Sequence, residues 1–207
     1  MVPNKQHFKQ LDGLRGIAIF TVFISHFLPP EVSDWHYFAY GSFGVRLFFV
    51  LSGFLITGIL LRSKALIESG QSIGYTLKAF YFRRTLRIFC VYYAWLAFIA
   101  LFVYSDQRLI WDFLYLSNFY DMLYLGGRGN QYWSLAVEEQ FYLVWPFFIL
   151  LCPLKYLRAA LLGLILGVIG LRLYLSMDGA EYLLVKKFPI LCMDALAIGA
   201  LIALAQS

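Results

Sequence analysis

Long apolar runs alternate with short polar stretches along the whole sequence. A helix that crosses a bilayer needs about 20 mostly apolar residues, and six runs approach that length. We therefore predict spanning helices over residues 11–28, 43–61, 80–104, 132–151, 156–175 and 188–205. The fold is predicted to be all-α, a polytopic helical membrane protein with a single transmembrane domain over residues 1–207. The aromatic segment 109–119 is too short to span and is expected to form an interfacial helix or a re-entrant piece.

Composition supports a chain that faces lipid. Hydrophobic residues make up 61% of the sequence and charged residues only 14%, whereas about a quarter of the residues in soluble domains are charged. A water-soluble globular domain is therefore excluded, and basic cytoplasmic loops explain the net charge of +5 better than nucleic-acid binding does. The three cysteines form no CxxC pair, and their spacing fits neither a zinc site nor a disulfide framework.

The distribution of basic residues predicts the orientation in the membrane. Lysine and arginine concentrate at the N-terminus, between the second and third predicted spans, and between the fourth and fifth, whereas segment 29–42 has none. Because cytoplasmic loops carry this excess, we predict a multi-pass protein of the inner (cytoplasmic) membrane with a cytoplasmic N-terminus. Lys186 and Lys187 fall on the outer side in this arrangement and fit it less well.

Arg15 and His26 are candidate functional residues in the first predicted span. Eleven helical positions return to the same face and rise about 16 Å, so both side chains share one face at different depths. An arginine at the cytoplasmic mouth suits phosphate, and a deeper histidine can accept and return a proton near neutral pH. The alternative is an arginine at the lipid interface and a histidine that is hydrogen-bonded in the core.

Three arginines cluster near the start of the third predicted span. Arg83, Arg84 and Arg87 are spaced as neighbours on a helix, so together they could hold a polyanion. The alternative is anchoring to anionic lipid, which is the better explanation for Arg83. Arg87 enters the apolar run, where a charge is costly and is therefore a functional candidate.

Two acids, Glu138 and Glu139, begin the fourth predicted span. We expect Glu138 to lie at a depth similar to that of His26 and to orient that histidine as a carboxylate does in acid–base pairs. The alternative is that these acids complement the helix dipole, and one of the two could do only that.

Small and acidic residues elsewhere in the spans have two interpretations each. For Ser52 and Gly53, close helix packing is favoured over a nucleophilic serine. Asp194, in the sixth predicted span, either lines a pore or pairs with a basic group from another helix.

Five blocks of sequence, taken in order, carry a family resemblance. They are LDGLRGIAIFTVFISHF, FGVRLFFVLSGFLIT, FYFRRTLRIF, YWSLAVEEQFYLVWPF and MDALAIGALIAL. They resemble the successive blocks of the acyltransferase-3 family and extend over nearly the whole chain. Any one of them would be weak, but the Arg-x10-His spacing combined with the RRxxRI and WSLAVEEQFY blocks is specific.

The resemblance implies an activity and roles for the candidate residues. Family members move acyl groups, commonly acetyl, from a coenzyme A thioester to hydroxyls of sugars and glycoconjugates. By position, Arg15 and His26 match the essential first-span pair of the family, and Arg84 and Arg87 match its RxxR pair. Glu138 lies in its SLxxEEQF block. The expected site therefore has His26 and Glu138 as catalytic residues and the three arginines as ligands of acyl-CoA, with no metal required.

The resemblance also has departures, and they leave other functions open. Cys90 stands where the family often has proline, and Cys192 stands where it often has arginine. Family members have more than six spans, so the chain is expected to be incomplete at its C-terminus. Two alternatives follow: a relay that passes acyl groups across the membrane to a separate transferase, or an inactive truncated product.

Overall fold

A computed structural model describes residues 9–27, 34–103, 106–124 and 132–206, without the side chains of residues 9, 26, 27, 34–40, 182 and 183. Within these ranges all regular elements are helices, which confirms the all-α prediction. The helices are α1 Lys9–Phe27, α2 Asp34–Glu68, α3 Ile73–Phe102, α4 Arg108–Phe113, α5 Ser117–Leu123, α6 Tyr132–Leu151, α7 Leu154–Met177, α8 Tyr182–Lys187 and α9 Met193–Ala205. A 3-10 turn, Pro189–Cys192, leads directly into α9.

Four of the described helices are long and apolar enough to cross a membrane. They are α3, α6, α7 and the part of α2 from Gly41 to Glu68, which confirms a polytopic membrane protein. The first and sixth predicted spans correspond to α1 and α9, which do not meet the same criterion. Helix α9 has 13 residues and rises about 20 Å, less than the hydrocarbon thickness of a typical bilayer.

Several helices extend beyond the apolar runs that predicted them. Helix α3 starts at Ile73, seven residues before the predicted start, and α2 continues to Glu68. The apolar run marks contact with lipid, whereas a helix satisfies its own backbone hydrogen bonds and can continue into water. The aromatic segment 109–119 forms parts of α4 and α5, which meet at Tyr115 with a left-handed φ of 55°.

Helix α2 lies at the centre of the packing, and glycines let its neighbours approach closely. A Cβ on Gly53 would collide with the backbone of Leu196 in α9, and one on Gly199 would collide with the backbone of Val50. Helix α9 accordingly makes its most extensive contacts with α2. The prediction that Gly53 serves close packing is confirmed.

Helix α1 packs antiparallel against α2, and glycines fix the register. Ser25 occupies the space beside Gly41, and Val22 occupies part of the space beside Gly44. Each step towards the start of α1 therefore matches a step towards the end of α2. This register sets the depths of the candidate residues on α1.

Helix α3 is held to its neighbours mainly by side-chain hydrogen bonds. The Tyr81 hydroxyl donates to the carbonyl of Leu143 in α6 at 2.9 Å. The hydroxyls of Tyr92 and Tyr93 donate to two carbonyls near the end of α4, at 2.8 and 3.1 Å. These bonds set the face that α3 presents to α6, and that face carries Arg84.

Candidate functional site

Four polar side chains from α2, α3 and α6 meet inside the helix bundle. Ser52 and Tyr142 both donate their hydroxyl hydrogens to Glu138 Oε1 in short contacts. The guanidinium carbon of Arg84 lies 4.8 Å from the centroid of the Tyr142 ring, within the range of a cation–π interaction. We call Ser52, Arg84, Glu138 and Tyr142 the inner polar layer.

The helix registers explain why these side chains meet. Glu138 and Tyr142 are four residues apart and therefore neighbours on one face of α6. Helices α2 and α6 run parallel, because Trp145 near the end of α6 donates to Thr57 at 2.8 Å, while Trp133 at its start contacts Phe49. The same offset places Ser52 beside the glutamate.

The inner polar layer lies deep in the spanning region. Lys64 near the end of α2 donates to the carbonyls of Ile149 and Leu150 at the end of α6, at 3.0 and 3.1 Å. Ser52 comes twelve residues earlier, which is about 18 Å along the helix. Ionisable groups at that depth are costly unless they have partners or a function.

The three arginines of α3 are not equivalent. Arg83 and Arg87 are exposed, whereas Arg84 is partly buried and lies within electrostatic reach of Glu138 and Glu139. Among the described residues, no carboxylate comes within 4.0 Å of Arg84 to form an ion pair. Its guanidinium therefore rests on an aromatic ring and keeps its hydrogen-bonding capacity for another group.

Glu139 lies beside the inner polar layer and is not a surface acid. Its Oε1 is buried and has no hydrogen-bond partner among the described residues. Helix α6 begins at Tyr132 and carries no acid in its first turn. The dipole effect fades beyond the first turn, so the interpretation of Glu138 and Glu139 as dipole complements is wrong.

Arg15 and His26 lie at different depths on α1. Arg15 forms an exposed ion pair with Asp12 at 3.2 Å, and the α1–α2 register puts its backbone level with residues near 50. The side chain of His26 lies outside the described part of the structure. Its backbone follows Ser25 and is therefore level with Gly41, far from the depth of Arg15.

The predicted common depth of His26 and Glu138 is not what the register gives. Glu138 bonds to Ser52, which follows Gly41 by eleven residues, or about 16 Å. The carboxylate therefore shares its depth with Arg15 and Arg84 and lies well away from the histidine backbone. The sequence analysis placed Glu138 at the depth of His26 because it took the two acids as the beginning of the fourth span, whereas α6 begins six residues earlier, at Tyr132.

A second buried polar group joins the short helices, and sequence analysis missed it. Arg108 Nη2 lies 2.7 Å from Asp121 Oδ1, and Lys187 Nζ lies 2.6 Å from Asp121 Oδ2. Arg108 Nε lies 3.9 Å from Asp112 Oδ2. We call these four residues the outer ionic cluster. The i, i+4 spacing of Arg108 and Asp112 was the available signal, and the cluster explains why a lysine sits on the predicted outer side.

Asp194 pairs with basic groups from other helices, as one of its two predicted interpretations required. Its Oδ2 lies 2.8 Å from Arg172 Nη2 in α7 and 3.4 Å from Arg46 Nη1 in α2. It also lines a cavity with both arginines. Within the described residues, no group of three or more His, Cys, Asp or Glu side chains could hold a metal ion.

Sequence reasoning also missed Ser52 and Tyr142 as members of the site. Ser52 was assigned to helix packing because it precedes Gly53, and that assignment is correct only for the glycine. Tyr142 carried a signal in its i, i+4 spacing from Glu138, but a tyrosine in an aromatic span is ordinarily a packing residue. Only the meeting of three helices identifies the hydroxyls as partners of the carboxylate.

Comparisons with known proteins place the chain in a family. A family model described as "Acyltransferase domain" matches residues 8–205. The "Peptidoglycan O-acetyltransferase OatA" of Listeria monocytogenes is 34% identical over 185 residues, which cover 80% of this chain and 28% of that protein. The "Putative peptidoglycan O-acetyltransferase YrhL" of Bacillus subtilis is 32% identical over 173 residues, covering 72% of this chain and 25% of that protein.

A further relative, an "Uncharacterized protein" of Haemophilus influenzae, is 35% identical over 137 residues, covering 58% of this chain and 54% of that protein. No solved structure matches the chain. The chain spans only about a quarter of the length of the two named relatives. The family match nevertheless covers nearly every residue described above, and the chain belongs to the acyltransferase-3 family.

Proposed function

We propose that this protein is a membrane-embedded O-acyltransferase that moves an acyl group, in the first place acetyl, from acyl-CoA to a hydroxyl of a sugar or glycoconjugate. The observation that carries the proposal is the inner polar layer. Arg84 is held deep in the bundle on the ring of Tyr142, beside Glu138 and without an ion pair among the described residues. A cation kept in that state is ready for an anionic donor.

The arginines provide the donor end of the proposed site. Arg15 and Arg84 come from different helices and lie at a similar depth, and Arg87 follows Arg84 by one turn of α3. Guanidinium groups bind phosphate with paired, charge-assisted hydrogen bonds. Acyl-CoA carries several phosphates at one end of a long arm, so these three residues fit that end of the donor. We propose that this end faces the cytoplasm, with the N-terminus on the same side of the inner membrane.

The reacting end lies at the depth of His26 in this proposal. The acceptor hydroxyl oxygen attacks the thioester carbonyl carbon while the imidazole of His26 takes the hydroxyl proton. The carbon–sulfur bond then breaks, and the sulfur leaves as a thiolate that takes up a proton. The rise of about 16 Å between Arg15 and His26 suits a donor whose phosphates and thioester are far apart.

Glu138 has a positioning role in this arrangement. Its carboxylate accepts from Ser52 and Tyr142 and lies within electrostatic reach of Arg84. It therefore sets the ring on which the guanidinium rests and balances its charge before the donor arrives. Orientation of His26 by Glu138 does not fit the α1–α2 register, so we assign the glutamate to the donor end.

An acyl relay is the competing function. The chain matches only about a quarter of the length of its named relatives, so the rest of those proteins has no counterpart in it. A relay would use the same arginines and histidine to line a path. It differs from the enzyme in having no turnover with a soluble acceptor when no partner protein is present.

The test uses the full chain in lipid nanodiscs with acetyl-labelled acetyl-CoA and chitotetraose as the hydroxyl acceptor. We expect labelled chitotetraose, and a loss of at least about 100-fold in His26→Ala, because general-base catalysis contributes on that scale. His36→Ala is the matched histidine control and should keep full turnover. Full transfer by His26→Ala would contradict the assigned base, and acetyl-CoA uptake without labelled sugar would favour the relay.

A second pair of variants tests the donor end. Arg84→Gln should raise the KM for acetyl-CoA by at least about tenfold, since charge-assisted hydrogen bonds are worth about 1.5–3 kcal/mol. Arg83→Gln removes the same charge from the exposed neighbouring position and should leave KM within about twofold. Equal effects of the two variants on KM would show that the total positive charge of α3 determines donor binding and that the position of Arg84 does not.

A further inference from the structure

A cavity separate from the inner polar layer lies between α2, α6, α7, α8 and α9. Its volume is about 250 Å³. The residues that decide its chemistry are Arg46, Phe49, Trp133, Arg172, Lys186 and Asp194. It combines basic side chains with an aromatic wall, a combination suited to an amphipathic anion.

The basic groups of the cavity exceed its acid. Arg46 and Arg172 both pair with the same oxygen, Asp194 Oδ2, while Oδ1 of that carboxylate is buried and has no hydrogen-bond partner among the described residues. Lys186 adds a third cation. Among the described residues that line the cavity, three positive charges thus face one negative charge, and a cluster with such an excess is stabilised by an added anion.

Both arginines keep hydrogen-bonding capacity. Arg46 makes a long contact of 3.4 Å, and its side chain is 52% exposed, so it can turn towards a ligand. Arg172 uses Nη2 for Asp194 and for the carbonyl of Leu191, while its Nε is buried without a hydrogen-bond partner in the described part of the chain. A guanidinium has five donors, so a carboxylate or phosphate can be bound without breaking the existing pairs.

Helix α8 explains why Lys186 faces this cavity. The adjacent Lys187 is buried and paired with Asp121 in α5, whereas Lys186 lines the cavity. Lys186 is partly buried, and its burial together with the charge of Lys187 lowers its pKa. An anion in the cavity would offset both effects, because it favours the protonated amine.

We propose that this cavity binds a small organic anion, with its carboxylate or phosphate at Arg46 and Arg172 and its body against Phe49 and Trp133. The volume lies just below the usual range for ligand pockets, which limits the body to about the size of a monosaccharide or of one lipid headgroup. The site goes beyond the transfer reaction proposed above. It is tested by binding alone, so its failure and that of the transfer reaction are distinguishable.

The experiment compares three hexoses that differ in charge, with the full chain in nanodiscs of neutral phosphatidylcholine. Glucose 6-phosphate and glucuronate should each bind at least about tenfold more tightly than glucose. Arg46→Gln and Lys186→Gln should each weaken binding of the anions by about tenfold and leave glucose unchanged. Arg158→Gln removes an exposed charge at the far end of α7 and should have no effect.

A second arm identifies the source of the anion. Protein purified from bilayers that contain phosphatidic acid is examined by native mass spectrometry for retained lipid. Retention that Arg46→Gln abolishes, without hexose binding, would assign the site to a lipid headgroup. Selective binding of the anionic hexoses would assign it to a soluble or glycan anion. Equal affinity for all three hexoses with no Arg46-dependent lipid would overturn the proposal, as would equal weakening by Arg158→Gln.

Discussion

The inner polar layer is partly buried and the outer ionic cluster is buried, and they pair their charges in different ways. In the outer ionic cluster each oxygen of Asp121 meets a cation, Arg108 at 2.7 Å and Lys187 at 2.6 Å. In the inner polar layer the carboxylate of Glu138 meets two hydroxyls, and the guanidinium of Arg84 meets a ring. The outer ionic cluster sets two cations against two carboxylates in direct ion pairs, whereas the inner polar layer keeps opposite charges apart.

This difference indicates a structural role for the outer ionic cluster and a ligand-binding role for the inner polar layer. A cluster of two cations and two carboxylates is balanced in charge and is costly to break, because removal of one member leaves its partner buried without a counter-ion. A cation stacked on an aromatic ring can still donate hydrogen bonds, so a phosphate could bind it without displacing a protein partner. Mutations should therefore affect stability in the outer ionic cluster and activity in the inner polar layer.

The largest effect on stability is expected for Asp121→Asn. The substitution keeps the shape of the side chain but leaves Arg108 and Lys187 without their shared carboxylate. Removal of one partner from a buried ion pair costs about 3–5 kcal/mol, so the Tm in detergent should fall markedly. Acetyl transfer by the fraction that remains folded should be unchanged.

The control for this prediction is Asp178→Asn, which removes an exposed acid at the end of α7. Its Tm should match that of the native chain. If the two aspartate variants unfold at the same temperature, the outer ionic cluster does not hold the short helices together.

A smaller effect, on activity, is expected for Tyr142→Phe. The ring that carries Arg84 stays, and only the hydroxyl donated to Glu138 is lost. Loss of one hydrogen bond to a charged group is worth about 1.5–3 kcal/mol, so kcat/KM for acetyl-CoA should fall by at least about tenfold. The Tm should change much less than in Asp121→Asn.

Tyr81→Phe is the matched variant, because its hydroxyl also bonds to α6 but lies outside the inner polar layer. It should lower the Tm slightly and leave kcat/KM within about twofold. A similar loss of activity in both tyrosine variants would mean that the Tyr142 hydroxyl acts only through helix packing.

Hydropathy predicted the fold well, because lipid imposes a simple rule on spanning helices. The run 132–151 coincides with α6, and 156–175 differs from α7 by two residues at each end. The ends of α2 and α3 were missed, because a helix can extend past the lipid where its sequence becomes polar. The 3-10 turn before α9 was also missed, since no apolar pattern marks it.

The sequence predicted which charged residues belong to the site better than it predicted which residues they contact. The sequence identified Arg84 and Glu138 as unusual charges in apolar runs, and both lie in the inner polar layer. The depth of Glu138 relative to His26 was not predictable, because it depends on glycine contacts between α1 and α2 that hydropathy does not encode. The pairing of Asp121 with Lys187 joins residues 66 positions apart and has no local signal.

The smallest effect is expected at Lys186, which lies next to Lys187 in α8. Burial and the charge of Lys187 lower the pKa of Lys186 below its usual 10.5, so the folded state binds this proton less tightly than the unfolded state. The native chain therefore carries a penalty at neutral pH and recovers stability as pH rises between the lowered pKa and 10.5.

Lys186→Gln should remove that penalty, which would raise the Tm slightly at pH 7 and bring the two curves together near pH 11. Thermal unfolding across this pH range checks the prediction, with Lys78→Gln as an exposed control that should follow the native curve. A lower Tm for Lys186→Gln at pH 7 would mean that the protonated amine of Lys186 stabilises the folded state, as that of Lys187 does through its ion pair with Asp121. The excess of positive charge around the cavity would then not destabilise the folded chain.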